Sequence, residues 1–424
     1  MPGGNVELPL NGFQRVMRLF DERQPFQGID AIEANEAVRI DDLERAVNEE
    51  LNLLGIGWPM ATRHDRSVIY RPTQGTVRVE VCPLQPLEEQ FATELNLRFQ
   101  PADPLIRVWV LPSQPRPHIG MTWQHYPIDG VSGADLFRRI LSRYLGTPLD
   151  LASTATEPFM PDLAVEFQKY KTLRWKLRDL VETIEELYRI SKVYPISRPK
   201  PEGTQLRVQL LELPHPPRPA GATTNDVIAA ALLASLADVL PERERRHWQR
   251  GVNVMNFVDL RPFGGEPLRR AWGLFLGFCV FHLPDPQPAD FAACVESIRK
   301  QSMRIKDGQL FFGSVDAFTA YRMVWPWIPR RWSWTLPSQL TPFSAALTNT
   351  RHRKEWSSGA LGAAFGRSWR VAPLGNIVSL GVDVCTKGNQ LSIALTTEAP
   401  SKMHSKMSDF LPRFEARIDG RKRV

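Results

Sequence analysis

Two short apolar runs in the first third of the chain show the alternation that is typical of β-strands. Ile106–Leu111 is the first run, and His118–Gln124 is the second. In the second run Ile119, Met121 and Trp123 recur at every other position, so they share one face of a strand. The pattern therefore predicts two consecutive strands that end close to residue 124.

A helical pattern follows the second strand after only a few residues. Ser132 and Asp135 have the spacing of a capping box, which predicts that the helix begins with Ser132 as its N-cap. Apolar residues then recur at helical spacing: Leu136, Phe137, Ile140, Leu141 and Tyr144. The strand and the helix are joined by a tight loop in which Gly130 permits a turn that a Cβ would resist.

The rest of the chain alternates between strand and helix patterns. The first half predicts a helix over Ile40–Leu54, a strand pair over residues 67–70 and 76–82, and helices over 87–97 and 162–191. The second half predicts strands over 206–213, 252–260 and 277–283, helices over 226–240 and 291–306, a hairpin over 376–384 and 390–397, and a last helix broken at Pro412. These patterns predict an α+β chain with two parts, residues 1–194 and 195–424.

His125 is the residue that carries candidate chemistry in the loop. A histidine has an unperturbed pKa near 6.5, so its neutral ring can accept a proton from an alcohol or an amine at neutral pH. No serine in the chain lies in a Gly-x-Ser-x-Gly elbow. His125 is therefore the candidate general base for direct attack by an acceptor, and a structural histidine at a strand end is the alternative.

The segment from His125 to Gly130 resembles the His-x-x-x-Asp-Gly centre of the His-His-x-x-x-Asp-Gly motif of the CoA-dependent acyltransferase superfamily. This superfamily includes chloramphenicol acetyltransferase, the condensation domains of nonribosomal peptide synthetases and the wax ester synthases. Here Gln124 occupies the place of the first histidine, whereas His125 matches the catalytic second one. Further fragments resemble the family in the same order: residues 95–99, 104–107, 224–231, 258–262 and 347–349.

The resemblance implies two chloramphenicol-acetyltransferase-like α/β sandwiches in a V, with the active site in a tunnel between them. It implies that His125 is catalytic, and that Asp129 pairs with Arg261 and shapes the loop together with Gly130. Candidate substrate-binding or tunnel residues, some of them possible oxyanion contacts, are Gln124, Ser132, Gly133, Trp272 and Asn349.

The resemblance also implies the reaction. An acyl group would move from a thioester, on CoA or on the phosphopantetheine arm of an acyl or peptidyl carrier protein, to a small-molecule amine or alcohol. We expect no bound cofactor, because the thioester is a co-substrate. Two alternatives remain open, namely a condensation-like binding module with a decayed site and a lipid-type O-acyltransferase that forms wax esters or diacylglycerol esters.

The amino-acid composition restricts the possible classes of partner only weakly. The 424 residues carry a net charge of +7, which suits CoA phosphates, an acidic carrier or anionic lipid, and equally a solvated basic surface. The four cysteines show no C-x-x-C pair, so we expect neither a disulfide framework nor a metal site. No secretory signal, apolar run of membrane-spanning length or nucleic-acid-binding module is evident, so we expect a cytoplasmic protein without nucleic acid.

Two further features leave their roles open. Residues 325–334 hold four tryptophans and two arginines, a composition that fits a lipid interface, a nucleotide stack, an apolar substrate wall or a buried core. The predicted helix over 162–191 has one basic face, which fits a solvated surface or a peripheral contact with a membrane or partner.

Overall fold

The computed structural model describes residues 6–61, 67–71, 75–113, 115–147, 157–158, 204–239, 251–263, 271–284, 290–315, 317, 343–351, 356, 358–375 and 377–420. Within these ranges the chain forms two compact units, each of which contains helices and a β-sheet. The first unit is made of Met1–Tyr170, Asp259–Leu276 and Arg351–Pro373, and the second of Lys171–Val258, Gly277–Thr350 and Leu374–Val424. The α+β class predicted from the sequence is confirmed.

The first unit holds most of the early elements of the chain. Its strands in the described ranges are β1 (Val6–Pro9), β2 (Gln27–Ala34), β3 (Trp58–Ala61), β4 (Ser67–Arg71), β5 (Val79–Val81), β6 (Ile106–Leu111), β7 (His118–Gln124) and β8 (Glu157–Pro158). Its helices there are α1 (Gly12–Arg23), α2 (Ile40–Leu54), α3 (Leu87–Asn96) and α4 (Gly130–Tyr144).

The elements of the second unit follow, together with the two late segments of the first. The strands are β9 (Gln205–Pro214), β10 (Val252–Asp259), β11 (Ala271–Trp272), β12 (Leu276–Leu283), β13 (Ala345–Arg351), β14 (Phe365–Val371), β15 (Leu380–Lys387) and β16 (Gln390–Ala399). The helices are α5 (Thr224–Val239), α6 (Phe291–Gly308), α7 (Gly359–Ala364) and α8 (Met407–Ile418), with one-turn 3-10 helices at Arg261–Phe263 and His404–Lys406.

Strand β7 lies in the middle of the main sheet of the first unit. Among the described residues this sheet has the order β14-β2-β7-β6-β5, in which β7 is antiparallel to both of its neighbours. Strands β6 and β7 have the bounds that the apolar alternation predicts. Every residue of β7 after His118 is buried, because α4 packs against this sheet and the neighbouring strands cover its edges.

Two strands of this sheet were not predicted from the sequence. Strand β2 is buried along almost its whole length, and its polar residues, Gln27, Asp30 and Glu33, do not alternate with its apolar ones. Strand β14 reaches the first unit from a late part of the chain and pairs antiparallel with β2, with Arg370 opposite Asp30. The sheet next to the His125 loop therefore depends on a segment more than two hundred residues downstream.

Residues 67–70 and 76–82 do not form the strand pair that the sequence predicts. Strand β4 pairs with β1 and β3 in a separate three-stranded sheet of the described chain. Strand β5 instead pairs in parallel with β6 at the edge of the main sheet. The prediction was wrong because closeness in sequence and a Gly-containing turn indicate a hairpin only where the two strands lack better partners.

The second unit is built around a larger sheet. In the described residues its order is β12-β10-β13-β15-β16-β9, and helix α5 packs on α6 and α8. Strands β15 and β16 form the predicted hairpin, closed by Gly388 and Asn389. The predicted break at Pro412 is wrong, since α8 continues through it. Phe410 and Phe414, whose ring centroids lie 5.4 Å apart, are buried on either side of the proline and hold the helix in place.

Several predictions fall outside the described residues. These are the long helix over 162–191, the boundary between the two parts at residue 194, and the tryptophan-rich segment over 325–334. The boundary remains a prediction, but residues 259–276 and 351–373 belong with the first unit, which a single cut does not anticipate. None of the helices in the described ranges combines the length and the apolar composition needed to cross a bilayer.

Candidate active site

The His125 loop connects the end of β7 to the start of α4. The backbone N–H of His125 donates to the carbonyl of Phe26 at 3.3 Å, which ties the loop to the residue before β2. The backbone N–H of Gln124 donates to Leu105 O at 3.0 Å, and its side-chain amide donates to Pro104 O at 3.1 Å. Gln124, the residue in place of the first motif histidine, thus fastens the loop to the segment before β6.

The His125 side chain is buried, with 7% of its surface exposed. Its ring centroid lies 5.7 Å from that of Phe26 and 6.4 Å from that of Trp123, and Nδ1 has no hydrogen-bond partner among the described residues. Burial lowers the pKa of His125 below 6.5, and the charge of Arg370 adds to this. Asp129 and the nearby carbonyls of His125 and Ile128 act in the opposite direction. The ring is therefore neutral at pH 7, the form that accepts a proton.

Asp129 begins helix α4 as its N-cap. Its carboxylate accepts a hydrogen bond from the backbone N–H of Ser132 at 2.8 Å, the usual bond from the third helical residue to the cap. The predicted capping box from Ser132 to Asp135 is therefore wrong. Both Asp-x-x-Ser and Ser-x-x-Asp are present in this stretch, and aspartate and serine are about equally good caps.

Arg261 forms a buried ion pair with Asp129, as the resemblance implies. Its Nη1 lies 2.8 Å from Asp129 Oδ2, and its Nη2 lies 3.1 Å from Oδ1, so the contact is bidentate. Arg261 also donates from Nε to Ala271 O at 2.9 Å and from Nη1 to Asp259 at 3.0 Å. Burial raises the pKa of Asp259, and the nearby Arg261 offsets this only in part. Arg261 follows the end of β10 by two residues, and its pair with Asp129 binds that segment to the loop.

The Asp129 carboxylate is further stabilised by the backbone. The N–H of Phe275 donates to Oδ2 at 2.9 Å, in addition to the bond from Ser132 and the two from Arg261. Burial opposes ionisation of Asp129, but the charge of Arg261 and these hydrogen bonds outweigh it, so its pKa is lowered below 3.8. Asp129 is therefore ionised at neutral pH, and its role in shaping the loop stays a prediction.

Ser132 is held by the same network from inside the helix. Its hydroxyl donates to Gly273 O at 2.9 Å, and its oxygen accepts from Gly273 N at 3.0 Å and from Arg261 Nη2 at 2.8 Å. Because the only O–H of Ser132 is already given to Gly273, this side chain has no proton to offer an oxyanion in this arrangement.

Gly130 and Gly133 are close-approach positions on α4. A Cβ on Gly130 would lie 2.8 Å from Arg370 Nη1, and a Cβ on Gly133 would lie 2.9 Å from Trp123 Cε2. Gly130 is not among the glycines with positive φ. The expectation that Gly130 serves the backbone turn is therefore corrected, because its role is to leave room for the guanidinium of Arg370.

The two remaining predicted residues lie in different units. Trp272 is buried in the first unit, directly before Gly273, and its Nε1 has no acceptor within the part of the chain that the structure describes. Asn349 belongs to the second unit, where its side-chain amide donates to Asn225 at 3.4 Å and that of Asn225 donates to Asn256 at 3.3 Å. The first unit thus brings together His125, Asp129, Gly130, Ser132, Gly133 and Arg261, with Trp272 adjacent, and their roles stay predictions.

Sequence reasoning missed one charged pair beside this loop. Asp30 of β2 and Arg370 of β14 form a buried ion pair, with Nε 2.7 Å from Oδ1 and Nη2 2.8 Å from Oδ2. The one available signal was an aspartate between Ile29 and Ala31 and an arginine between Trp369 and Val371, since charged residues are seldom buried unless they are paired.

Comparison with known proteins gives matches at the level of structure. No protein-family model and no curated protein matches this chain. The first condensation domain of the calcium-dependent antibiotic synthetase, in complex with substrate analogue 3a, matches with a TM-score of 0.66 at 15% identity, covering 97% of this chain and 95% of that one. The epimerization domain from the third module of tyrocidine synthetase B gives 0.64 at 13%, covering 98% and 97%.

An acetyltransferase matches over a similar extent. Trichothecene 15-O-acetyltransferase from Fusarium sporotrichioides has a TM-score of 0.69 at 10% identity, with 98% of this chain and 94% of that chain covered. The chain therefore has the fold shared by these condensation, epimerization and acetyltransferase proteins, the fold class that the resemblance implies. At these identities the likeness establishes the fold and not the reaction.

Proposed function

We propose that this protein is an acyltransferase of the condensation type, which moves an acyl group from a thioester to an amine or an alcohol. The observation that carries the proposal is the construction of the loop. A buried histidine with a lowered pKa stands at a strand end, and a buried Asp129–Arg261 pair follows it in the same loop.

The proposed reaction uses His125 as general base. The ring accepts the proton of the acceptor N–H or O–H while the acceptor lone pair attacks the thioester carbonyl carbon. The tetrahedral intermediate then collapses, the C–S bond breaks, and the protonated ring returns the proton to the leaving thiolate. The products are an amide or an ester and a free thiol, so no oxidant, metal or further co-reactant is needed.

Consumption of thioester by the purified full-length protein tests the proposal. We expect release of free thiol from acyl thioesters when a panel of amines and alcohols is offered, with the new amide or ester detected by mass spectrometry. His125→Ala should lower turnover roughly a hundredfold or more, which is the usual scale for loss of a general base. The matched control is His118→Ala, since His118 lies at the other end of β7, is partly buried and bonds Ser113.

The outcomes separate the alternatives. Turnover confined to long-chain alcohols or diacylglycerol would assign the lipid-type O-acyltransferase. Binding of thioesters without turnover, and without any difference between wild type and His125→Ala, would assign a non-catalytic module.

For the donor we favour a carrier-bound thioester over a CoA ester, with condensation domains among the structural neighbours as support. Both donors present the same phosphopantetheine arm, so only the outer contact distinguishes them. Binding of an acidic carrier to this basic chain should weaken as salt rises, because exposed charges are screened beyond about 8–10 Å. Equal efficiency with the same acyl group on CoA and on a carrier would contradict this preference.

A further inference from the structure

The Asp30–Arg370 pair is buried and rigidly formed. Both side chains are 5% exposed, and two parallel N–H···O contacts join the guanidinium to the carboxylate. The two residues face each other across the paired strands β2 and β14. Bidentate geometry of this kind fixes the plane of the guanidinium as well as its position.

The third nitrogen of this guanidinium reaches the His125 loop. Nη1 lies 2.8 Å from the point that a Cβ on Gly130 would occupy, and the guanidinium carbon lies 5.8 Å from the ring centre of Trp123. The Trp123 ring is in turn 6.4 Å from the His125 ring. Arg370 is therefore in contact with the residue that begins α4 and with the aromatic neighbour of the candidate base.

This place is unfavourable for a cation if only stability is considered. The N-terminus of a helix carries a partial positive charge, so an arginine at the first residue of α4 is repelled by the helix dipole. Replacement of a buried ion pair by apolar residues is also often neutral or stabilising. A buried cation kept at the start of α4 therefore points to a role at the site.

We propose that Arg370, held by Asp30, is a positioning residue for the reaction: it fixes the start of α4 at Gly130 and places a permanent positive charge beside the His125 ring. The inference deepens the proposed function and rests on it. Arg370 acts through the loop and through His125, without contact to the reacting atoms.

The electrostatics of the ring agree with this geometry. Burial lowers the pKa of His125 first, and Arg370 lowers it further, whereas Asp129 raises it. Nη1 of Arg370, which Asp30 does not bind, is the atom that reaches the start of α4 at Gly130, so the pair turns its positive end toward the loop. The other charged groups around the loop are Arg261, which is bound to Asp129, Arg18 over the Tyr126 ring, and Asp21, which accepts from Phe26 N.

The test follows the protonation of His125 itself in the full-length protein. The His125 resonance of histidine-labelled protein, assigned by its absence in His125→Ala, is titrated in wild type and in Arg370→Met. We expect the midpoint to move to higher pH in Arg370→Met. The midpoint of Arg370→Lys should stay closer to that of wild type, because lysine keeps the positive charge although it cannot bind Asp30 with two parallel hydrogen bonds.

A matched control and a second variant guard against simple misfolding. Arg417 forms a similarly buried pair with Asp238 in the second unit, so Arg417→Met should leave the His125 midpoint unchanged. If Arg370→Met does not fold, Asp30→Asn combined with Arg370→Met removes both charges and leaves no unpaired ion. That double variant should also move the midpoint upward, since the positive end is the one beside the ring.

The titration needs no turnover, so the two proposals fail separately. An unchanged midpoint in a folded variant without Arg370 overturns the positioning role, whatever the activity. An upward movement without turnover of any thioester supports the coupling and contradicts the proposed reaction. In an active enzyme, the acid limb of the pH–rate profile should move in parallel with the resonance.

Discussion

Two buried arginine–aspartate pairs contact the same loop, and they differ in how many donors serve the carboxylate. Asp129 accepts from both terminal nitrogens of Arg261 and from the backbone N–H groups of Ser132 and Phe275. Asp30 accepts from two nitrogens of Arg370. Both carboxylates are buried, so the two pairs differ in the protein donors that take the place of water as hydrogen-bond partners.

The pKa values of the two aspartates move in opposite directions for this reason. Burial raises the pKa of Asp30, and the single arginine offsets only part of that effect. For Asp129, burial is outweighed by Arg261 together with the two backbone donors, and the pKa is lowered. A buried ion pair stabilises a fold when hydrogen bonds complete the solvation of the carboxylate, and much less when the pair stands alone. The Asp129 pair thus serves structure, while the Asp30 pair is better suited to tuning a neighbour.

The largest expected effect is on the free energy of unfolding when the aspartate of each pair is replaced by the uncharged asparagine. Asp129→Asn should lower the free energy of unfolding by about 3–5 kcal/mol, because it removes the bidentate partner of the buried Arg261. Asp30→Asn also leaves a buried arginine without its carboxylate, but it should cost less, because burial disfavours the charged form of Asp30 whereas the charged form of Asp129 is the favoured one. Denaturant unfolding of both variants at pH 7 makes the measurement, and equal losses would contradict the comparison.

The next effect is the coupling within the first pair. Asp129→Ala and Arg261→Ala should each lower the melting temperature by a similar amount. The double variant should lose about 0.5–3 kcal/mol less unfolding free energy than the two single losses added together. A stable, fully folded Asp129→Asn that is inactive, or full additivity in the cycle, would instead indicate that Asp129 takes part in catalysis directly.

The pH dependence of stability should have opposite signs for the two aspartates. Folding lowers the pKa of Asp129, so its charged form stabilises the fold above the unfolded pKa of 3.8, and this stabilisation is lost as pH falls. The difference in unfolding free energy between wild type and Asp129→Asn should therefore shrink on acidification. Folding raises the pKa of Asp30, so its protonated form stabilises the fold fully below the unfolded pKa of 3.8, and this stabilisation is lost as pH rises through the folded pKa. The difference in unfolding free energy between wild type and Asp30→Asn should therefore grow on acidification. Unfolding curves from pH 7 to below pH 3.8 show the trend, because the Asp129 contribution is lost only below its unfolded pKa, and slopes of the same sign would refute it.

The smallest effect concerns the contact between the second pair and the helix. Gly130→Ala places a Cβ against Arg370, and such overpacking costs about 1–3 kcal/mol, partly offset by the roughly 1 kcal/mol that alanine contributes in a helix. Arg370→Met should remove the conflict, so the double variant should lose less than the sum. If alanine at position 130 costs the same with and without Arg370, the contact has no energetic role.

The strands and helices with one apolar face could be predicted from the sequence almost to the residue. Strands β6 and β7 and helix α2 have an amphipathic period and clear ends, and their bounds match. Strand β2 could not be predicted, because its polar residues, Gln27, Asp30 and Glu33, recur at every third position and hide the period of two.

The site was predictable only in part. The loop from His125 to Gly130 is local, and its motif is visible in the sequence. The partner of Asp129 lies 132 residues away, and only the family resemblance suggested Arg261. Asp30 and Arg370 are 340 residues apart and match no motif, so their pairing depends on the sheet order, which periodicity does not encode. Asp129 rather than Ser132 is the cap, and the residues that bind its carboxylate, Arg261 and Phe275, lie 132 and 146 residues away in sequence.

The two late segments of the first unit also bear on how the protein can be divided and synthesised. Arg261 enters this unit only after residues 171–258 of the second unit have been synthesised, and strand β14 only after most of the second unit. A fragment ending near residue 194 lacks Arg261, which pairs with Asp129, and it lacks strand β14 of the main sheet together with its Arg370. Separate expression of residues 1–194 and 195–424 therefore removes the groups that complete the loop. The two parts are better studied, labelled or reassembled from one continuous polypeptide.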